Sequence, residues 1–124
     1  MTDQRGLAVL TGEDLQIFST LCLGGAGAIA ASAHLHPELF VRLAELIRDE
    51  KLTQAREIFY RLLPMIQLLF AEANPAPVKA ALAHLGIVCD ELREPMQRAS
   101  DQLADKLITE LQNLRDAAAK AKSE

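Results

Sequence analysis

The sequence predicts an α/β fold in which one β-α-β unit is followed by four helices. Two short apolar runs, Leu7–Leu10 and Ala28–Ala31, contain no charged residue and are typical of strands covered on both faces of a parallel sheet. A helical segment separates them, and from Pro37 onward apolar residues recur at helical spacing. Two parallel strands alone leave both sheet edges unpaired. We therefore expect this unit to belong to a larger sheet.

The composition limits the classes of partner and compartment. The chain has 124 residues, a net charge of −4, four Phe, one Tyr and no Trp, so its core is aliphatic. It carries no basic stripe with interleaved aromatic residues, and we expect no nucleic acid partner. Cys22 and Cys89 lack C-x-x-C spacing, and the first ten residues lack the apolar stretch of a signal peptide, which predicts a cytoplasmic protein. Cys22 is expected to be a small buried residue.

A membrane span is the alternative for one uncharged segment. Leu15 to Ala33 contains no charged residue and is long enough to cross a bilayer. Three glycines and several polar residues interrupt this run, so a buried helix followed by a buried strand explains it better, and we expect no membrane association.

Two helices flank the second strand. Glu13 and Asp14 suit the first turn of the first helix, because the helix dipole is positive there, and Gly24-Gly25 predicts its end. Pro37 suits the first position of the second helix. The apolar face of the second helix consists of Leu39, Phe40, Leu43, Leu46 and Ile47.

Three further helices complete the prediction. Thr53 is expected to N-cap a helix that Pro64 bends, and its apolar stripe consists of Ala55, Ile58, Phe59, Leu62, Leu63, Ile66 and Phe70. A helix over Val78–Leu85 follows, with Gly86 as its stop. Residues 87–99 have no clear period and predict an ordered loop. Ser100 is the expected N-cap of the last helix, whose stripe is Leu103, Leu107, Leu111 and Leu114.

Several motifs occur in one order along nearly the whole chain. They are Leu10–Asp14 (LTGED), Leu23–Ala30 (LGGAGAIA), the Ala55-Arg56 pair with Leu62 and Pro64, and Glu72–Lys79 (EANPAPVK). In this order they resemble the dihydrodipicolinate synthase/N-acetylneuraminate lyase family, with its L-(S/T)-G-(D/E)-D, L-G-G-x-G-x-I-S, A-R…L-x-P and E-P-N-P-x-P-V-K. Ala73 and Ala30 depart from these patterns at a proline and a common serine, and Ala30 leaves the subfamily open.

The resemblance implies the C-terminal part of a TIM (β/α)₈ barrel. Residues 1–50 would supply strands seven and eight with their helices, and residues 51–124 a helical C-terminal extension. A full barrel takes about 250 residues, so the first six strands are expected to lie outside this sequence.

The resemblance also implies a class I aldolase that uses pyruvate. In the family, a lysine on the sixth strand forms a Schiff base with pyruvate and a tyrosine on the fifth strand relays protons. Both would lie outside this sequence, so we expect no catalytic residue here and no activity of the isolated chain. The intact parent would condense pyruvate with an aldehyde, most simply aspartate semialdehyde, in diaminopimelate and lysine biosynthesis, with no cofactor. Lys79, which lies in one of the motifs, is expected to be structural. All of the chain's lysines fall on predicted helices or turns: Lys51, Lys79, Lys106, Lys120 and Lys122.

Two residues are the candidate substrate-binding residues. By resemblance, the backbone carbonyl of Ile29 contacts bound pyruvate and Gly12 lines the pyruvate pocket, which fits the rule that barrel active sites lie at the C-terminal ends of strands. The structural alternatives are that Ile29 is a barrel core residue and that Gly12 serves a tight strand-to-helix turn.

Other residues give weaker signals of a site. Glu13 and Asp14 could form a paired-carboxylate site, although dipole partners are the commoner role. Gly25-Ala26-Gly27 could cradle a phosphate, although the full GxGxxG is absent. We expect no metal site, because the sequence offers no further ligands to complete a set with its three histidines, which are His34, His36 and His84.

Two other functions stay open. One keeps the fold and changes the aldehyde, as in an N-acetylneuraminate lyase, a keto-sugar-acid aldolase or a hydratase. The other is a non-catalytic helical interaction module that uses the leucine stripe of the last helix. A homo-oligomer is expected in either case, because family members are commonly tetramers and an incomplete barrel exposes apolar surface.

Overall fold

A computed structural model describes the backbone of residues 6–120 and the side chains of residues 6–115. The chain divides into two compact units between Leu63 and Pro64. In chain order, the elements are β1 (Leu10–Thr11), α1 (Ile17–Cys22), β2 (Gly27–Ala28), α2 (Pro37–Arg48), α3 (Leu52–Leu69), α4 (Ala76–His84) and α5 (Asp101–Lys120). Short 3₁₀ turns at Asp14–Gln16 and Ser32–His34 follow the two strands.

The two strands are parallel neighbours, as the predicted β-α-β order requires. Leu10 lies opposite Gly27 and Thr11 opposite Ala28. The predicted bounds, Leu7–Leu10 and Ala28–Ala31, are wrong, because the strands are Leu10–Thr11 and Gly27–Ala28. Pairing begins just before them, where the backbone N–H of Ala26 donates to the carbonyl of Val9 at 2.7 Å. It ends before Ala31, which already has helical backbone angles (φ −64°, ψ −38°) ahead of the next 3₁₀ turn.

The apolar side chains around these strands are exposed, contrary to the prediction. Leu7 is 58%, Leu10 51% and Ile29 74% exposed. Within residues 6–120, β1 and β2 pair only with each other. A sheet of two strands cannot cover both of its faces or both of its edges.

The core of the first unit forms around α1 and α2. Leu43 and Leu46 of the predicted α2 face are buried, while Leu39, Phe40 and Ile47 are partly exposed. Pro37 occupies the first position of α2, as predicted. The predicted end of α1 is confirmed as well, because the backbone N–H of Gly25 donates to the carbonyl of Thr20 at 2.8 Å.

Helix α3 begins one residue before its predicted N-cap. The backbone N–H of Ala55 donates to the carbonyl of Lys51 at 3.0 Å, so Thr53 lies inside the helix and its predicted capping role is wrong. The predicted stripe is buried at Ala55, Phe59, Leu62 and Ile66. Phe70 follows the last residue of the helix and is 42% exposed, which corrects its place in the stripe. The helix continues through Pro64, and a bend there stays a prediction.

In the second unit, α4 begins at Ala76, two residues before the predicted start. Gly86 has a φ of +72°, and the backbone N–H of Ile87 donates to the carbonyl of Leu82 at 3.0 Å, which confirms the predicted stop. Residues 87–99 form no helix or strand, as predicted. Ser100 caps α5, and the predicted leucine stripe of α5 is buried.

Candidate functional site

The two candidate substrate-binding residues lie at the same edge of the parallel pair. Gly12 follows β1 directly and Ile29 follows β2 directly. The backbone N–H of Ile29 donates to the carbonyl of Thr11 at 2.9 Å, which holds the two strand ends together. The Ile29 side chain is 74% exposed, so it is no core residue of the described structure. The structure thus brings Gly12 and Ile29 together at the C-terminal ends of the two strands.

Nothing in the described structure requires a glycine at position 12. Its φ lies outside the left-handed region that favours glycine, and no atom lies within 4 Å of a Cβ built on it. A tight turn would need an unusual φ or a close contact, and neither is present. The space beside Gly12 is therefore open to a ligand or to another part of a larger fold.

Asp14 and Ser32 form a buried link beside this edge that sequence reasoning missed. Both are 1% exposed. The Asp14 carboxylate accepts a hydrogen bond from the backbone N–H of Ser32 at 2.7 Å and a second, short one from the Ser32 hydroxyl. Asp14 opens the 3₁₀ turn after β1, and Ser32 opens the one after β2. No local pattern could reveal the pair, because 18 residues separate its members.

The two adjacent acidic residues have different environments. Glu13 is exposed, and its carboxylate accepts a hydrogen bond from the backbone N–H of Leu15 at 3.4 Å, in a capping position. The carboxylate of Asp14 is buried and bound to Ser32. Glu13 is thus the dipole partner that the sequence predicts, while Asp14 has a different role.

The glycine-rich segment before β2 ends a helix and opens no other. The Gly25 N–H is already donated to Thr20, so it is not free for a phosphate. A Cβ at Gly25 would lie 2.8 Å from the carbonyl oxygen of Thr20, which explains the glycine by packing alone. A cavity of about 460 Å³ beside this segment is lined mainly by apolar groups of α1, β2 and α2, with Arg48 as its cation.

The histidines do not converge on a metal site. The Nδ1 of His34 lies 2.9 Å from the carbonyl oxygen of Ala31, and the Nδ1 of His36 lies 3.1 Å from the Oε1 of Glu38. Among the residues that the structure describes, no group of three His, Cys, Asp or Glu could hold a metal ion.

Lys79 has the structural role that the sequence predicts. Its Nζ donates a short hydrogen bond to the carbonyl of Glu91, which ties the loop of residues 87–99 to α4. Lys122 lies outside the described residues.

The prediction that Cys22 is buried is wrong, because both cysteines are free and exposed. Partial burial of its thiol nevertheless raises the pKa of Cys22. In the described part of the chain, no helix combines the length and the apolar character that crossing a bilayer requires.

Three comparisons with known proteins agree. The family model described as "Dihydrodipicolinate synthetase family" matches residues 2–114. The 4-hydroxy-tetrahydrodipicolinate synthase 2 of Clostridium acetobutylicum is 44% identical over 101 residues, which are 81% of this chain and 35% of that protein. A crystal structure of dihydrodipicolinate synthase from Thermotoga maritima superposes with a TM-score of 0.86 at 34% identity, over 89% of this chain and 37% of that one.

A further solved relative carries a ligand. The dihydrodipicolinate synthase of Acinetobacter baumannii, a structure described as complexed with pyruvate, superposes with a TM-score of 0.82 at 26% identity, over 88% of this chain and 38% of that one. The chain therefore spans little more than a third of the length of the proteins it matches.

Proposed function

Because the chain belongs to the dihydrodipicolinate synthetase family, we propose that it forms strands seven and eight of a (β/α)₈ barrel and the helical extension that follows them. Residues 1–50 would be the barrel part and residues 51–124 the extension. The parallel pairing of β1 and β2 around one helix supports this, since a barrel is built from such units. The exposed apolar residues at and beside the two strands, Leu7, Leu10 and Ile29, are those that the rest of a barrel would cover.

The proposed activity is that of a class I aldolase acting in the cytoplasm. A lysine amine from the barrel's sixth strand condenses with the keto carbon of pyruvate and releases water, which forms a Schiff base. Loss of a methyl proton to the tyrosine that relays protons in the family gives an enamine. Its carbon bonds to the aldehyde carbon, the aldehyde oxygen takes up a proton, and attack of water or of a substrate amine on the C=N bond frees the lysine amine. The amine comes from outside the 124 residues, so the chain's part is to complete the barrel and to line the pyruvate pocket.

Gly12 and Ile29 would be the residues that contact pyruvate. The observation that carries this proposal is their shared position at the C-terminal edge of the parallel pair, where barrel enzymes bind their substrates. The Ile29 contact uses its backbone carbonyl, so the exposure of its side chain does not oppose it. At Gly12 the open space around the α-carbon leaves room for the ligand.

Aspartate semialdehyde is the proposed aldehyde. The relative from Clostridium acetobutylicum is named a 4-hydroxy-tetrahydrodipicolinate synthase, and its identity to this chain is 44% over 101 residues. Sugar-derived aldehydes are the alternative. The groups that choose the aldehyde would lie mostly on the other six strands, so rates with both aldehydes, measured on a barrel that carries this protein's own first six strands, distinguish the two.

The test supplies the first six strands as a separate polypeptide. The full chain is mixed with a polypeptide that holds the first six strand-helix units of the Thermotoga maritima relative, and labelled pyruvate is trapped with borohydride. We expect label on the added polypeptide's lysine only when the native chain is present. A heat-denatured chain is the control. Label on any lysine of this chain, or no gain from adding it, overturns the proposal.

We also propose that the chain associates with itself when no other strands are supplied. The exposed apolar residues at the two strands favour this, because patches of this kind mark interaction surfaces. Sedimentation velocity should show concentration-dependent oligomers, and Leu10→Lys should reduce them. The matched control is Tyr60→Lys, which alters an exposed residue on α3. A monomer at all concentrations contradicts the proposal.

A further inference from the structure

Two restraints enclose the candidate pyruvate-contact residues. At the strand ends, the backbone N–H of Ile29 donates to the carbonyl of Thr11 at 2.9 Å. Beyond them, Asp14 accepts two hydrogen bonds from Ser32. The first link joins Thr11 to Ile29, and the second joins Asp14 to Ser32. Gly12 lies between the two linked positions on its own segment, and Ile29 is itself one of the linked residues.

The outer restraint depends on one carboxylate. The Asp14 side chain is fully buried, and a buried carboxylate is costly unless hydrogen bonds replace its water. The Ser32 backbone N–H and hydroxyl supply those bonds. An apolar residue at position 14 would leave a buried N–H and hydroxyl without their acceptor and would release the two segments from each other.

We propose that Asp14 is a positioning residue for the aldolase reaction. It fixes the spacing between the segments that follow β1 and β2, and thereby holds Gly12 and the Ile29 carbonyl where pyruvate binds. The role rests on the proposed function, because it concerns the pyruvate pocket. Asp14 itself touches no reacting atom and acts through the main chain of Gly12 and Ile29.

The first test uses the full chain alone and needs no activity. Amide hydrogen exchange is followed by NMR in the wild type and in Asp14→Ala, with Asp105→Asn as the control, since Asp105 is an exposed acidic residue on α5. We expect the Ile29 and Ser32 amides to exchange about tenfold faster in Asp14→Ala, as local opening predicts, while α5 amides stay unchanged. Unchanged exchange at Ile29, or an equal rise at every amide, overturns the proposal.

The second test uses the chain assembled with the six-unit polypeptide. Asp14→Ala should raise the KM for pyruvate about tenfold, because small displacements of binding groups weaken contacts strongly, and leave the KM for the aldehyde unchanged. Ser32→Ala should act in the same direction, and Ser32→Thr, which keeps the hydroxyl, should resemble the wild type.

The outcomes separate this proposal from the one on which it rests. If the wild-type assembly forms no Schiff base, the proposed function fails. If it forms one, and Asp14→Ala lowers only kcat with the pyruvate KM unchanged, the positioning role alone fails.

Discussion

The Glu72 carboxylate accepts two hydrogen bonds from Ser100, one from the hydroxyl at 2.5 Å and one from the backbone N–H at 3.0 Å. The same hydroxyl accepts from the backbone N–H of Leu103 at 3.3 Å, so it caps α5 while it donates to Glu72. The pair joins the segment before α4 to the start of α5. These bonds, that of the hydroxyl foremost, lower the pKa of Glu72 below its ordinary value.

The lowered pKa predicts a pH-dependent contribution to stability. A carboxyl whose pKa is lower in the folded state stabilises the fold above its unfolded pKa, roughly 4.3 for Glu, and loses this contribution as pH falls through the folded value. Glu72→Gln should therefore lower the urea midpoint at neutral pH, and the difference from the wild type should shrink below about pH 4.3.

The matched control for this prediction is Ser100→Ala. Without the hydroxyl, replacing Glu72 by Gln should have a smaller effect on the urea midpoint, because one of the two hydrogen bonds is already gone. A Glu72→Gln effect that is the same from acidic to neutral pH would contradict the assignment.

The stacked pair Phe18–Phe59 predicts a large effect of truncation in the first unit. The ring centroids are 5.3 Å apart with an interplanar angle of 23°, and Phe59 is 9% exposed. Phe59→Ala should lower the free energy of unfolding by about 3 kcal/mol, as for other buried aromatic residues. Its neighbour Tyr60 is 61% exposed, so Tyr60→Ala should change the free energy of unfolding by less than about 0.5 kcal/mol. Urea denaturation of both variants checks this, and equal effects would refute it.

Local sequence signals predicted helix ends better than strand bounds. The ends at Gly25 and Gly86 and the cap at Ser100 depend on residues only a few positions away, and all three are confirmed. Strand bounds depend on which residues meet across the sheet, and that is set by the register of Leu10 with Gly27. The apolar run from Leu7 thus predicts a strand but not its limits.

The candidate site was predictable only in part, for the same reason. The motifs around Gly12 and Ile29 pointed to these positions, and the structure brings them to one edge. The link between Asp14 and Ser32 needs the chain to return after 18 residues, so no local pattern contains it. The wrong prediction for Cys22 has a related cause, since an apolar neighbourhood in sequence does not say which face of a short helix is covered.

The Cys22 thiol offers a prediction about reactivity. Partial burial raises its pKa, so it should become a thiolate at higher pH in the folded chain than in the chain unfolded by urea. In Cys89→Ser, which leaves Cys22 as the one cysteine, the iodoacetamide rate measured against pH should show this displacement. Rate–pH profiles that coincide for the folded and the unfolded chain would contradict the prediction. The comparison variant is Cys22→Ser, in which the measured rate is that of Cys89.

Gly25 and Gly12 should respond oppositely to the same substitution. A Cβ at Gly25 would lie 2.5 Å from the Cγ2 and 2.8 Å from the carbonyl oxygen of Thr20, so Gly25→Ala must displace the end of α1. We expect it to lower the free energy of unfolding by about 1–3 kcal/mol, as overpacking does.

At Gly12 the Cβ meets nothing, so Gly12→Ala should leave the stability of the isolated chain unchanged or raise it by about 0.5 kcal/mol through the unfolded state. In the assembled barrel, the bulkier Gly12→Val should instead raise the KM for pyruvate, because its side chain would occupy the space proposed for the ligand. Destabilisation of the isolated chain by Gly12→Ala would show that the glycine serves the turn. An unchanged pyruvate KM in Gly12→Val would remove Gly12 from the pocket.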